Sequence, residues 1–171
     1  MEKGTLDRLL KNYFNSRKSW EGWCYLNNIH LKTSKPEIRE YVDKNELLYY
    51  FRYLLMKDLH IELYKIIKDS SRSSKDNIFI LLKNHNSQQS KKHLSKLNEF
   101  SIEINSITDA RDKFYAHLDP DYKDFISSFK LESYYNVFEL IEEAIIILGK
   151  KNELKEILKE IPSRDEFELK I

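Results

Sequence analysis

Three glycines, three prolines and a single cysteine are all that 171 residues contain. Gly4, Gly22 and Gly149 lie too far apart for any glycine-rich phosphate loop, which excludes the common nucleotide-binding motifs. A parallel α/β enzyme would need turn glycines at the ends of many strands, whereas helices do without them. Cys24 has no partner for an internal disulfide, which fits a reducing, cytoplasmic setting. It also has no basic neighbour in sequence, so it reads as a buried, inert thiol rather than a nucleophile. No run of about 18 apolar residues occurs, so no membrane span is expected. The first fourteen residues lack the apolar core and small-residue cleavage site of a signal peptide.

What is present is charge of both signs and many aromatics. Lys plus Arg number 29 and Asp plus Glu 28, a net charge of +1, so bulk charge does not mark a nucleic-acid binder. The distribution is uneven. Residues 1–100 carry 19 basic and 12 acidic residues, and residues 101–171 carry 10 and 16. The densest basic stretch runs from Lys65 to Lys96, with Asp69 and Asp76 as its acidic members. A solvated helix face explains such a stretch; a local phosphate-neutralising surface is the functional alternative. A chain of this length is one domain by size, able to bury roughly 70% of its unfolded surface.

Helical periodicity runs through nearly the whole chain, and strand alternation does not, so the expectation is a single all-α bundle over residues 1–171. Leu6, Leu9, Leu10, Tyr13 and Phe14 open a first helix, with Thr5 as N-cap, that continues through Trp20, Trp23 and Cys24 to about Asn28. The two tryptophans read as core or interface aromatics. Ser34 with Glu37, and Asp43 with Glu46, read as capping boxes for a short helix and then a long one over about Lys44–Lys68. The run Leu47–Met56 is apolar on all sides except Arg52, which suits a bundle centre or a subunit interface. Arg52 there must be paired or must snorkel. Ser70–Ser74 reads as a turn, Ile78–Leu82 as a short helix and Asn84–Ser90 as a loop. One helix is expected from Lys91 to Leu118, stopped at Asp119-Pro120. Phe125, Ile126 and Phe129 form a further short apolar face. A strong helix covers Leu131–Leu148 with Gly149 as its C-terminal glycine. Leu154–Ile161 makes a last helix, and residues 162–171 read as a loose tail.

None of the five histidines stands at metal-ligand spacing, and no nucleophile elbow exists, so no metal and no cofactor are expected. The segment from Thr108 to Pro120 (TDARDKFYAHLDP) stands apart. On a helix, Arg111 falls on the apolar stripe of Ile107, Phe114 and Leu118, a costly place unless a carboxylate or a ligand phosphate receives it. His117 lies about 120° around the helix from Arg111, so the two do not converge on one ideal helix. On the residues alone this is first a structural ion-pair cluster. The chemical alternative is an acid–base histidine beside a phosphate-binding arginine, the pair that RNA cleavage needs.

The string Arg111-Asp112-Lys113-Phe114-Tyr115-Ala116-His117-Leu118-Asp119 resembles the R-[DN]-K-x-x-A-H-x-D pattern of the abortive-infection U branch of the HEPN superfamily. The order of a long central helix, a variable loop, the motif helix and a closing helix resembles that superfamily too. The resemblance implies a helical bundle that forms a homodimer, with two motif segments facing one shared cleft. It further implies a metal-independent endoribonuclease serving as a toxin in a toxin–antitoxin or abortive-infection system. In that reading His117 is the acid–base residue, Arg111 stabilises charge on the scissile phosphate, and Asp112 orients one of them. Lys113 is a phosphate contact or a plain surface lysine. RNA is the implied substrate and a cognate antitoxin the implied partner. Some members carry a modifiable tyrosine two residues after the histidine; Asp119 stands there instead, which leaves the antitoxin type open. A non-catalytic HEPN-like RNA- or protein-binding module is the alternative within the resemblance, and an unrelated helical interaction protein the alternative outside it.

Overall fold

The structure is a computed structural model that describes residues 3–69, 75–115 and 130–169. Among these residues there are eight α-helices, one turn of 3-10 helix and no strand. The helices are α1 (Lys3–Leu26), α2 (Pro36–Lys44), α3 (Glu46–Ile67), α4 (Ile78–His85), α5 (Gln88–Glu99), α6 (Ser101–Tyr115), α7 (Leu131–Ile147) and α8 (Lys151–Glu160). The 3-10 turn covers Arg164–Glu166. The expected turn at Ser70–Ser74, the stop at Asp119-Pro120 and the apolar face at 125–129 lie outside the described residues. None of the described helices is long and apolar enough to cross a membrane.

The most extensive pairing is α1 against α3, and α3 in turn packs on α6. Gly22 permits the first of these: a Cβ there would lie 3.3 Å from a Leu55 methyl group. Trp20 sits at the centre of the core, fully buried, with its indole stacked on Tyr134 of α7 at 4.9 Å and on Trp23 at 5.5 Å. Burial of a large apolar side chain is worth about 1.5–3 kcal/mol, and stacked rings add to that. The main core draws on α1 and α3 to α8; a smaller cluster joins Tyr25, Leu26, Ile38 and Val42. Cys24 is fully buried, and burial pushes its thiol up to about 12, so it is inert at neutral pH.

Several local expectations give way. Thr5 is not a cap: α1 already runs from Lys3, and Thr5 is buried within it. The Ser34–Glu37 box does not form. Lys35 stands at the N-cap of α2 without a side-chain bond, while Asn28 takes both local partners, donating to Ser34 Oγ and accepting from the Lys35 amide. The cap of α3 is Asn45, which accepts from the Leu48 amide at 3.1 Å, rather than Asp43. Asp43 is instead the partner that Arg52 requires, at 2.8 Å. Arg52 also donates to Asn27 and lies over the Tyr49 ring, which accounts for an arginine that is only 8% exposed.

The expected loop at Asn84–Ser90 shrinks to two residues. Asn86 adopts the left-handed conformation and Ser87 caps α5 by accepting from the Ser90 amide. The expected helix from Lys91 to Leu118 is broken at Phe100 into α5 and α6. The break leaves the three-and-four spacing of Leu97, Phe100 and Ile104 intact, so periodicity does not report it. At the end of α7, Gly149 does take up the left-handed conformation, at φ 82°. Its amide bonds to Ile146 and the Lys150 amide to Ile145, the two reverse bonds of a Schellman close.

The loose tail is also corrected. Residues 162–169 fold back on α1. Ser163 caps the 3-10 turn, Arg164 is buried against Glu21, and the Leu169 amide donates to Tyr25 Oη at 2.7 Å. Phe167 packs on the Tyr25 ring. A buried bidentate ion pair, not an apolar stripe, holds this segment, which is why its sparse hydrophobicity misleads.

Candidate functional site

Helix α6 presents the arginine of the motif. Ile104, Ile107, Thr108 and Ala110 are buried along it, and Arg111 emerges exposed one turn beyond Ile107. Arg111 is thus exposed, while the side chains of Phe114 and Leu118, the further members of the expected stripe, lie outside the described residues. At that level α3 offers a tyrosine ring in place of an aliphatic contact: the Arg111 guanidinium lies 4.6 Å from the centroid of Tyr64. Such stacking fixes the plane of a guanidinium. One turn along α3, Lys68 Nζ donates to Asp109 Oδ1 at 2.8 Å and to Thr108 Oγ1 at 3.2 Å. Tyr64 and Lys68 thus clamp the segment 108–111 from one face of α3.

Asp112 and Lys113 follow Arg111 within α6, but their side chains lie outside the described residues, as does His117. The structure accordingly places Arg111 and leaves the convergence of the four motif residues undescribed. Tyr64 and Lys68 were not legible as site neighbours. They carry no local motif, and only the packing of α3 on α6 brings them to Arg111.

The four described histidines each have structural partners. His60 is fully buried between α3 and α7, with Nδ1 2.8 Å from the Met56 carbonyl and Nε2 2.8 Å from Tyr134 Oη. Nδ1 donates to the carbonyl, so Nε2 accepts from the tyrosine. Burial lowers its pKa to about 4. His93 is lowered as well, again by burial, and its Nε2 donates to the Leu140 carbonyl. His85 meets Ser90, and His30 meets Tyr135.

The His60 shift carries a stability prediction. A histidine whose folded pKa is depressed leaves the unfolded chain with more bound protons between about pH 4 and 6.5. Its contribution is complete above pH 6.5 and is lost as pH falls toward 4. Urea unfolding should show about 2 kcal/mol less stability at pH 5 than at pH 7. A His60→Gln variant, less stable throughout, should lose most of that slope; an unchanged slope would contradict the assignment.

The basic stretch is less open than its sequence. Lys65 pairs with Glu62, Lys68 with Asp109, Lys83 with Asp69 and Lys96 with Glu143. Three of these carboxylates come from outside the stretch, so counting charges within it overstated its free surface. A groove of about 730 Å³ between α5 and α7 is lined by Lys92, His93, Lys96 and Glu143 among others. Two of its charges are spent on each other, with both Glu143 oxygens 2.7 Å from Lys96 Nζ. Among the described residues no group of three metal-ligating side chains occurs. Comparison of the chain with protein-family models, with curated proteins and with solved structures finds no match.

Proposed function

We propose that this chain is a metal-independent endoribonuclease with a HEPN-like helical bundle, acting as a toxin in a toxin–antitoxin or phage-defence system. The observation that carries the reading is the nine-residue string from Arg111 to Asp119, whose arginine stands at an exposed helix edge with its guanidinium braced on Tyr64. His117 takes the proton from the ribose 2′-hydroxyl as its oxygen attacks the adjacent phosphorus. The bond to the 5′-oxygen breaks, and that oxygen is protonated as it leaves. Arg111 stabilises the added negative charge on the phosphate, Asp112 orients the acid–base pair, and Lys113 contacts a neighbouring phosphate. Two copies supply these residues to one cleft. The products are a 2′,3′-cyclic phosphate and a 5′-hydroxyl, and DNA lacks the attacking group.

The test follows from that chemistry. Purified protein in EDTA should cut a structured RNA pool and spare DNA of the same sequences. A second reading, a non-catalytic RNA- or protein-binding module, draws on the exposed apolar residues of α3: Leu47 is 75% exposed, Tyr50 55% and Phe51 50%. Intact RNA after prolonged incubation, with tight binding to it, would favour that module.

A further inference from the structure

A second cluster of reactive side chains lies where the turn after α1 and the C-terminal segment meet α7. Two side chains converge there on one phenol. Arg164 Nη1 is 3.1 Å from Tyr135 Oη, and His30 Nδ1 is 3.0 Å from the same atom. A guanidinium only donates, so the phenol oxygen accepts from Arg164. The hydroxyl has one hydrogen of its own, and it donates that hydrogen to His30 Nδ1, the acceptor nitrogen of the Nε2–H tautomer.

The parts are held in place from several sides. Asn28 and His30 both have left-handed backbones, at φ 54° and 53°. Non-glycine residues adopt that region uncommonly, and such conformations persist where surrounding contacts hold them. The imidazole lies along the Tyr135 ring, with centroids 5.9 Å apart and planes 19° from parallel. Arg164 is fixed on its other edge by Glu21, through Nε at 2.7 Å and Nη2 at 3.0 Å. Its Nη1 also donates to the Ile29 carbonyl at 3.2 Å, so one nitrogen ties the backbone beside His30 to the oxygen of Tyr135. The Tyr135 ring stands edge-to-face with the buried Trp20. Arg164 is 8% exposed, Tyr135 is partly exposed and His30 is exposed, so the cluster is rooted in the core and opens to solvent at the histidine.

A weak nucleophile is activated by a base within hydrogen-bond reach and by a third group that stabilises the charge left on its oxygen. His30 and Arg164 stand in those two places around Tyr135. The carboxylates beside them are engaged: Glu21 holds Arg164, and Asp165 accepts from the Lys32 amide. A cation at the attacking oxygen favours an electrophile that carries negative charge, as a phosphoryl group does, over a neutral carbonyl.

We infer that Tyr135 is a nucleophilic tyrosine, a site of covalent phosphoryl attachment with His30 as its base and Arg164 as the cation on the phenol oxygen. In the step, the phenol proton passes to His30 Nδ1 and the oxygen forms a bond to phosphorus. The bond from phosphorus to the leaving group breaks, and its electron pair departs with that group. The co-reactant is a phosphoryl donor with an anionic leaving group, a phosphoanhydride by class. The inference goes beyond the ribonuclease reading and uses none of residues 111–119.

The test is reaction of the full chain with an alkyl fluorophosphonate, from which fluoride leaves, with the labelled tyrosines mapped by mass spectrometry. Tyr135 should be labelled at least about tenfold faster than Tyr50, which is 55% exposed and stacked on Tyr53. His30→Asn, whose side chain suits a left-handed backbone, should slow labelling of Tyr135 about 10²-fold and leave that of Tyr50 unchanged. Added imidazole should restore part of the lost rate, which a purely structural role of His30 would not allow. With acetyl phosphate as a second probe, Tyr135 should gain a phosphoryl group. Labelling of Tyr135 no faster than of Tyr50, a His30→Asn chain that reacts at the wild-type rate, or a loss that imidazole does not restore would overturn the inference. An acetyl group on Tyr135 in place of phosphate would overturn its phosphoryl class.

Discussion

His117→Ala is expected to reduce RNA cleavage by at least about a thousandfold while leaving RNA affinity within a few fold. The proposed step needs a group that accepts a proton from a 2′-hydroxyl near neutral pH, and positioned proton transfer is worth about 10²- to 10⁴-fold. The other histidines do not offer a replacement of equal quality: His60 is held neutral in the core and His93 is tied to a backbone carbonyl. Arg111→Ala should fall by about 10²- to 10³-fold, since it removes a preorganised donor at the developing charge. The proposed composite cleft adds a second arm. Co-refolded mixtures of His117→Ala and Arg111→Ala chains should recover activity that neither has alone, because a mixed dimer still holds one arginine and one histidine. Full activity in His117→Ala would remove the acid–base assignment outright. Loss of fold in that variant, seen as a lost thermal transition, would make His117 structural.

The second large effect concerns the fold. Arg164→Ala should cost about 3–5 kcal/mol of stability. The Arg164 guanidinium meets Glu21 through Nε at 2.7 Å and Nη2 at 3.0 Å, and through Nη1 it also donates to the Ile29 carbonyl and Tyr135 Oη. Both side chains are 9% exposed. Removing the arginine leaves a buried carboxylate whose remaining cation, Arg17, is 3.6 Å away. A well-packed double variant, Glu21→Met with Arg164→Met, should recover much of the loss, because the penalty comes from the uncompensated charge rather than from the absence of a bond. Urea unfolding of the single and double variants measures this directly. A single variant within about 1 kcal/mol of wild type would show that the carboxyl is protonated or reached by water.

The helical character of the chain was legible because apolar spacing reports which face is buried. The long α3, the strong α7 with Gly149 closing it, the buried Trp20 and the need for an Arg52 partner all follow from that signal. Boundaries set by competing polar side chains were not. Asn45 rather than Asp43 caps α3, and Asn28 takes the bonds that a Ser34–Glu37 box would have used. Phe100 breaks a helix without disturbing its stripe, so a periodic pattern is blind to it. The tail was misjudged because its anchor is one ion pair 143 residues apart in sequence. At the candidate site, Arg111 was recognisable from its string, whereas Tyr64 and Lys68 become its neighbours only once α3 and α6 pack.

The ends of the RNA products test the central claim most directly. Wild-type protein incubated with structured RNA in EDTA should leave 2′,3′-cyclic phosphates and 5′-hydroxyls, with DNA intact. Products with 5′-phosphates, cleavage that stops in EDTA, or RNA left whole by a properly folded dimer would contradict it.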